Sequence, residues 1–332
     1  MSIYRLYPIV KWSIGYLFKT DTLKLKVLSY IIALLFFTVG CSSDDEVSIT
    51  SGPLDLPSTI EHLYSPNSNY VLIASHRGDA TKAPENTIAA IEAAITSGAE
   101  IVEIDVRITQ DGVLVVIHDT TLERTTNGTG NVVDRPLSYI QSLKTKDSNG
   151  NLTEHGVPTL FEVMAFAKDK TVIFIDKGND YWPEIQNVLR ETDTFENTLI
   201  VEPYSLSRAK NELNGFYDRI HYVPRIRQTD EDAFAIYNEF KPEVIPGFEF
   251  RFTTENSSVF SLIPEATQQG NHIWMSTITP DMTAGRTDLI ALDDPDASWG
   301  WCVDNGASII LTSYPELLNQ YLSSRNLRQS DQ

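Results

Sequence analysis

Two histidines and two carboxylates, His76, Glu103, Asp105 and His118, fall within residues 75–130 of a 332-residue chain. The stretch EIVEIDVRI, residues 100–108, alternates well enough to predict a strand, so Glu103 and Asp105 share one face. Asp111-Gly112 then reads as a two-residue hairpin turn of the type I′ kind. Folding about it pairs 110 with 113 and 105 with 118, which sets His118 beside both acids. Adjacent carboxylates repel each other and are best held together by a bound cation. Their oxygen atoms favour one hard divalent ion, Ca²⁺ or Mg²⁺, over Zn²⁺. The plainer alternative is an amphipathic hairpin with a solvated polar face. Ile101, Val102, Ile104 and Val106 argue against it, because they surround the acids with apolar neighbours.

The elements that must position these groups follow from the wider pattern. Short apolar runs predict strands at 70–75, 101–108, 171–176, 198–202, 220–225, 244–250, 272–276 and 308–312, with 113–118 as the return arm of the hairpin. Helical patterns lie between them, near 86–97, 160–168, 182–191, 206–213, 230–240, 256–266, 295–304 and 314–325. Asn86 is placed to cap the first, and Trp182-Pro183 starts another with proline in its first turn. Eight strands alternating with helices predict an α/β fold, a TIM (β/α)8 barrel with a β-hairpin extension after strand two. A doubly wound sheet is the alternative, weakened because no glycine-rich loop follows the first strand. In a barrel of this kind the C-terminal strand ends carry the site, where His76, Arg77, Glu103, Asp105 and His118 all fall.

Several short motifs occur in order: HRG from His76, PENT from Pro84, E-x-D, DG, HD from His118, L-x-RTT-x-G-x-G from Leu122, VPTLFE from Val157 and GASIILTSYPELLNQYL from Gly306. Together they resemble the glycerophosphodiester phosphodiesterase family over roughly residues 70–322. The resemblance implies metal-dependent hydrolysis of a small glycerophosphodiester to glycerol 3-phosphate and an alcohol. His76 and His118 would divide the acid–base work, and Arg77 would bind phosphate. Glu85 and Asn86 of the PEN motif would lie by the phosphate or the first loop, and Trp274 would wall the pocket or serve as a core aromatic. Where the family carries Glu-x-Lys on its third strand, this chain has Asp176-Lys177 after Ile175. Lys177 fits the phosphate-binding lysine. Asp176 is the candidate third metal ligand beside Glu103 and Asp105, with Glu202 and then Glu249 as alternatives. Neighbouring strand residues face opposite ways, so Asp176 and Lys177 both reach the site only if the strand ends or bulges there. Two other activities remain open: a phospholipase D-like enzyme of larger lipids, and a surface protein that binds phosphodiesters without cleaving them.

The ends bound the domain. Lys24 and Lys26 precede an apolar run over 27–39, followed by Gly40-Cys41, which resembles a bacterial lipoprotein signal. Residues 1–40 are read as that signal and Cys41 as the lipidated residue that anchors the chain to a membrane. Residues 41–66 are read as an acidic, Ser- and Pro-rich linker, 67–325 as the barrel and 326–332 as a polar tail. The tract Ser42-Ser43-Asp44-Asp45-Glu46 resembles the surface-export signal of Bacteroidetes lipoproteins, or is a plain tether. The expected location is the bacterial envelope, as an outer-membrane lipoprotein exposed at the surface. The formal charge of −19 becomes −23 once residues 1–40 are removed, which disfavours nucleic acid and anionic membranes as partners. No obligate protein partner is implied. Cys302 is the only cysteine besides Cys41 and reads as a small core residue.

Overall fold

A computed structural model describes residues 49–51, 53–66 and 69–331. The signal over 1–40 and the lipidation at Cys41 lie outside the described residues. The strands in chain order are β1 (Ile49–Ser51), β2 (Leu72–Ser75), β3 (Ile101–Ile108), β4 (Leu114–Val116), β5 (Val172–Asp176), β6 (Thr198–Glu202), β7 (His221–Arg227), β8 (Gly247–Arg251), β9 (His272–Ser276), β10 (Ile309–Thr312) and β11 (Gln329–Asp331). Eight of them, β2, β3 and β5 to β10, pair in parallel succession. Pairing of β10 with β2 closes the ring, with Ile309 opposite Leu72 and Thr312 opposite Ser75. Helices stand between the strands, so the fold is the expected TIM barrel. The β3–β4 hairpin is its extension.

Strand residues alternate between two apolar layers. Leu72, Ile101, Phe174, Val201, Val223 and Leu311 fill the barrel interior. Ile73, Val102, Ile173, Ile200, Phe248 and Ile310 face the surrounding helices. That alternation is what directs Glu103, Asp105 and Asp176 inward, each two or four residues beyond an interior residue of the same strand. The helix Leu160–Ala167 opens with a capping box, in which Thr159 Oγ accepts from Glu162 N and Glu162 Oε2 accepts from Thr159 N.

Four sequence expectations move. Residues 53–66 are not all linker: Leu56–Tyr64 is a helix, capped by Asp55, whose carboxylate accepts from Ser58 N at 2.9 Å, with Pro57 in its first turn. It turns Leu56, His62 and Leu63 inward against the N-terminal end of the barrel, where His62 Nε2 lies 3.4 Å from Tyr70 O. The polar tail is not free either, since β11 pairs antiparallel with β1. Asn86 does not cap its helix. Thr87 does, while Asn86 turns into the site. The helix Asp288–Asp293 was not foreseen; its Thr287 cap is the ordinary signal, obscured by a run of only six residues.

Beneath the barrel, Arg328 is buried and donates to Glu100, to Val71 O at 2.8 Å and to Gly98 O at 2.7 Å. Glu100 also accepts from Tyr70 OH at 2.7 Å and from Ile73 N at 3.0 Å. Removing one partner of a buried pair strands the other charge, at a cost of about 3–5 kcal/mol. Arg328→Met is therefore expected to lower unfolding free energy by that amount in a urea titration, and Arg328→Met with Glu100→Gln by clearly less.

Candidate active site

Glu103, Asp105 and Asp176 each offer an oxygen, and these three atoms lie within 4.8 Å of one another. Asp105 and Asp176 are directly opposite across β3 and β5. Asp176 is the last residue of β5, and Lys177 takes a left-handed backbone with φ of 58°. The strand breaks there, so both side chains reach the site: Lys177 Nζ is in close contact with Asp105 Oδ1. This resolves the adjacency of Asp176 and Lys177. Glu202 is not within this group, and Glu249 is taken up by Arg225 and Arg251.

The acids are not equivalent. Burial, and then repulsion from Asp105 and Asp176, push the Glu103 carboxyl well above its ordinary range. Burial acts the same way on Asp105, but Lys177 and Arg77 outweigh it and hold that carboxyl low. Asn86 clamps Asp105 from both sides, donating from Nδ2 to Oδ2 at 2.9 Å and accepting at Oδ1 from Asp105 N at 3.1 Å. Asn86 has a φ of 60° and Arg77 one of 58°. The Arg77 N–H donates to Glu103 Oε2 at 2.8 Å, and its Nε lies 3.4 Å from Asp105 Oδ2 without a hydrogen bond. Gly78 follows at φ of 77°, where a Cβ would meet the Ala90 backbone at 2.6 Å. The HRG glycine is there because the loop lies against the helix Ile88–Thr96.

The hairpin differs in register from the expectation. Val106 pairs with Val116, so Asp105 faces Ile117 and not His118. The loop holds three residues, Gln110 to Gly112, with Thr109 N donating to Val113 O at 2.9 Å and Gly112 at φ of 81°. Asp111 favours it, accepting from Thr109 Oγ1 and Leu137 N. His118 still arrives at the mouth, because β4 ends at Val116 and Arg107 holds the His118 carbonyl at 2.8 Å. Its Nδ1 lies 2.6 Å from Asp119 Oδ1. Asp119 is held by Arg124, whose hydrogen bonds keep that carboxyl well below its ordinary range. Arg124 in turn grips Glu85, which accepts from Arg77 at 2.9 Å. One chain of ion pairs thus runs from Arg77 to Asp119, which meets His118 Nδ1 at its end. Asp119 had no role in the sequence reading, although the His-Asp dipeptide was its signal.

His76 approaches Ser313 Oγ at 3.3 Å through Nδ1. Burial first, and Arg77 second, depress its pKa to about 3, so it is neutral; His118 is near enough to contribute to that shift. Trp274 is wholly buried in the barrel interior, edge-on to Phe174 at 5.7 Å. It underlies the site and does not wall an open pocket. Cys302 is buried and free.

Residues 76–193 match the Glycerophosphoryl diester phosphodiesterase family, and residues 222–322 match a domain of unknown function. A glycerophosphodiester phosphodiesterase of Caldanaerobacter subterraneus is 39% identical over 141 residues, covering 40% of this chain and 58% of that protein. Glycerophosphodiester phosphodiesterase 1 of Homo sapiens is 38% identical over 166 residues, 48% of this chain and 46% of that one. The chain therefore spans about half the length of these curated relatives. Among solved structures, a glycerophosphoryl diester phosphodiesterase from Parabacteroides distasonis superposes with a TM-score of 0.66 at 23% identity, over 83% of this chain and 94% of that one. A phosphodiesterase of Oleispira antarctica, solved with its product sn-glycerol-3-phosphate, gives 0.57 at 19% identity, over 77% and 98%. These likenesses are of fold.

Glu202 supplies a pH test of the site's electrostatics. Burial, with the charge of Asp176 adding to it, raises its pKa from 4.5 to about 7. An acid raised in the folded state is most favourable below its unfolded value, and stability is lost as pH climbs to the folded one. Glu202→Gln should melt higher than the parent at about pH 8 and show no such gain at about pH 4, by calorimetry of both proteins.

Proposed function

We propose that this chain, which belongs to the glycerophosphoryl diester phosphodiesterase family, hydrolyses glycerophosphodiesters to glycerol 3-phosphate and an alcohol. The observation that carries the proposal is the convergence of His76 and His118 on a cluster of three carboxylates at one barrel mouth. Glu103, Asp105 and Asp176 form an all-oxygen donor set that fits one hard divalent cation. Bound there, Ca²⁺ or Mg²⁺ would neutralise charge on a phosphate oxygen. The Arg77 guanidinium, its Nε unpartnered, and Lys177 supply further positive charge to the phosphodiester.

The two histidines are placed for different work. With its Nδ1–H donated to Asp119, His118 keeps the Nε2 lone pair for the attacking hydroxyl, and Asp119 stabilises the imidazolium that results. His76 is neutral, and a neutral imidazole offers one N–H that can be donated to the departing alkoxide. That donation leaves His76 an imidazolate, and the proton gained by His118 is returned to it through solvent as the alcohol leaves.

A second reading, action on larger lipids, is favoured by one observation. Leu289, Ile290 and Leu292 are exposed on the helix Asp288–Asp293. Asp288 accepts from Ser313 N, and Ser313 contacts His76, so the apolar residues stand beside the mouth. Anchorage at Cys41 would hold such an enzyme at the envelope. The non-catalytic reading drew its support from the altered third strand, and loses it where Asp176 and Lys177 both reach the site.

The test is release of glycerol 3-phosphate from glycerophosphodiesters, with lysophospholipid vesicles in parallel. Chelation should abolish turnover and Ca²⁺ or Mg²⁺ restore it. His118→Ala is expected to lower kcat about 10³-fold and Asp119→Asn about 10- to 100-fold. Full activity in His118→Ala would overturn the mechanism.

A further inference from the structure

We propose that Arg225, Arg227 and Arg251 form a subsite for a second anionic group, carried by the alcohol that leaves the scissile phosphate. The inference rests on the hydrolase reading above and narrows its substrate class.

The strands dictate the placement. Val223 lies in the barrel interior, so Arg225 and Arg227 on β7 continue the same inward face towards the mouth. On β8, Phe248 and Phe250 face the helices, which turns Glu249 and Arg251 inward. Arg225 stands opposite Glu249, and Arg227 opposite Arg251. Four ionisable side chains thus occupy the facing ends of two adjacent strands.

Glu249 is buried between two guanidinium groups: Arg225 Nε is in close contact with one oxygen, and Arg251 Nη2 lies 2.9 Å from the other. Arg227 pairs with Asp230 at 2.8 Å. The three arginines therefore stand together at the ends of two strands, ion-paired to Glu249 and Asp230, in a chain whose net charge is −19. Glu202 and Asp176 act on Arg225, and Asp281 on Arg251, through space. A barrel staple needs one arginine for Glu249, and here there are two.

Arg225 is 7% exposed, yet its Nη2 has no hydrogen-bond partner. A buried guanidinium donor left without an acceptor is costly, and an acceptor atom of a ligand would satisfy it. Burial weakens Arg225's hold on its proton, but the charges of Glu249 and then Asp176 more than restore it. Asp176 is also one of the three acids of the cation cluster. With neighbouring strands about 4.8 Å apart, β5 and β7 stand about 10 Å apart, so the subsite lies one head group's reach from the phosphate centre. A guanidinium fork recognises phosphate and carboxylate bidentately, and either would complete this site. The division of the chain agrees: the family match ends at residue 193, whereas Arg225, Arg227, Glu249 and Arg251 fall within the segment matching a domain of unknown function.

The experiment compares kcat/KM of the full chain with four diesters: glycerophosphoinositol 4-phosphate, glycerophosphoserine, glycerophosphoglycerol and glycerophosphocholine. A preference of about tenfold or more for the first two over glycerophosphocholine is expected, and their order separates phosphate from carboxylate. Arg251→Gln, at a partly exposed position, should cut the anionic-to-choline ratio about tenfold or more, and Arg227→Gln should cut it less. The Arg227 variant carries the test if Arg251→Gln fails to fold. Equal use of all four diesters, or an unchanged ratio in the folded variants, overturns the subsite and leaves the hydrolase reading standing. Should no diester be turned over, the hydrolase reading falls, and calorimetric binding of inositol 4-phosphate decides the subsite alone. Binding weakened in Arg251→Gln supports it, and no binding by the parent overturns it.

Discussion

Three carboxylates drawn to one spot inside a barrel repel one another, and much of the surrounding structure exists to offset that repulsion. Asp105 meets Lys177, Arg77 and Asn86 at once. Glu103 receives the Arg77 backbone N–H and otherwise remains the acid least able to ionise without a cation. Arg77, Asn86 and Lys177 all adopt a left-handed backbone, a conformation that costs about 1–3 kcal/mol at a non-glycine residue. Strain of this size persists because ion pairs and hydrogen bonds to buried acids hold each residue in place. Regular strand geometry would have turned Lys177 away from Asp176.

Two further acids, Glu85 and Asp119, tie distant loops together. The ion-pair chain Arg77–Glu85–Arg124–Asp119, with His118 hydrogen-bonded at its end, links the loop after β2, the PEN segment and the arm that leaves β4. His118 is therefore positioned by a charged partner, and His76 by the strand end and Ser313. His76 is buried and neutral at one end, and His118 leans on a carboxylate at the other. At the opposite end of the barrel, Glu100 and Arg328 close the floor with a pair 228 positions apart in the chain. Chemistry and closure thus sit at opposite ends of the same eight strands.

Local pattern was a good guide to the strands, because a strand buried on both faces must be apolar wherever it is not at the site. It was poorer at the barrel floor. The helix Leu56–Tyr64 lies in a stretch whose Ser, Pro and Asp content resembles a linker, and its helical character comes from a cap and from burial against Tyr70 and Leu72. Arg328 looked like a tail residue because nothing nearby in sequence announces a buried glutamate more than two hundred positions away.

By itself the sequence determined the barrel, the family resemblance and the residue types of the site, since alternation, turn residues and motif order are local properties of a chain. His76, Arg77, Glu103, Asp105, His118, Asp176 and Lys177 were all legible in that way. The tertiary structure decided what each one touches. It shifted the hairpin by one residue and still delivered His118, gave Asp119 to it as a partner, buried Trp274 and brought three arginines together on β7 and β8. Those outcomes depend on where strands end and on which charges meet across the barrel, and such encounters between distant residues leave no mark in the spacing along the chain.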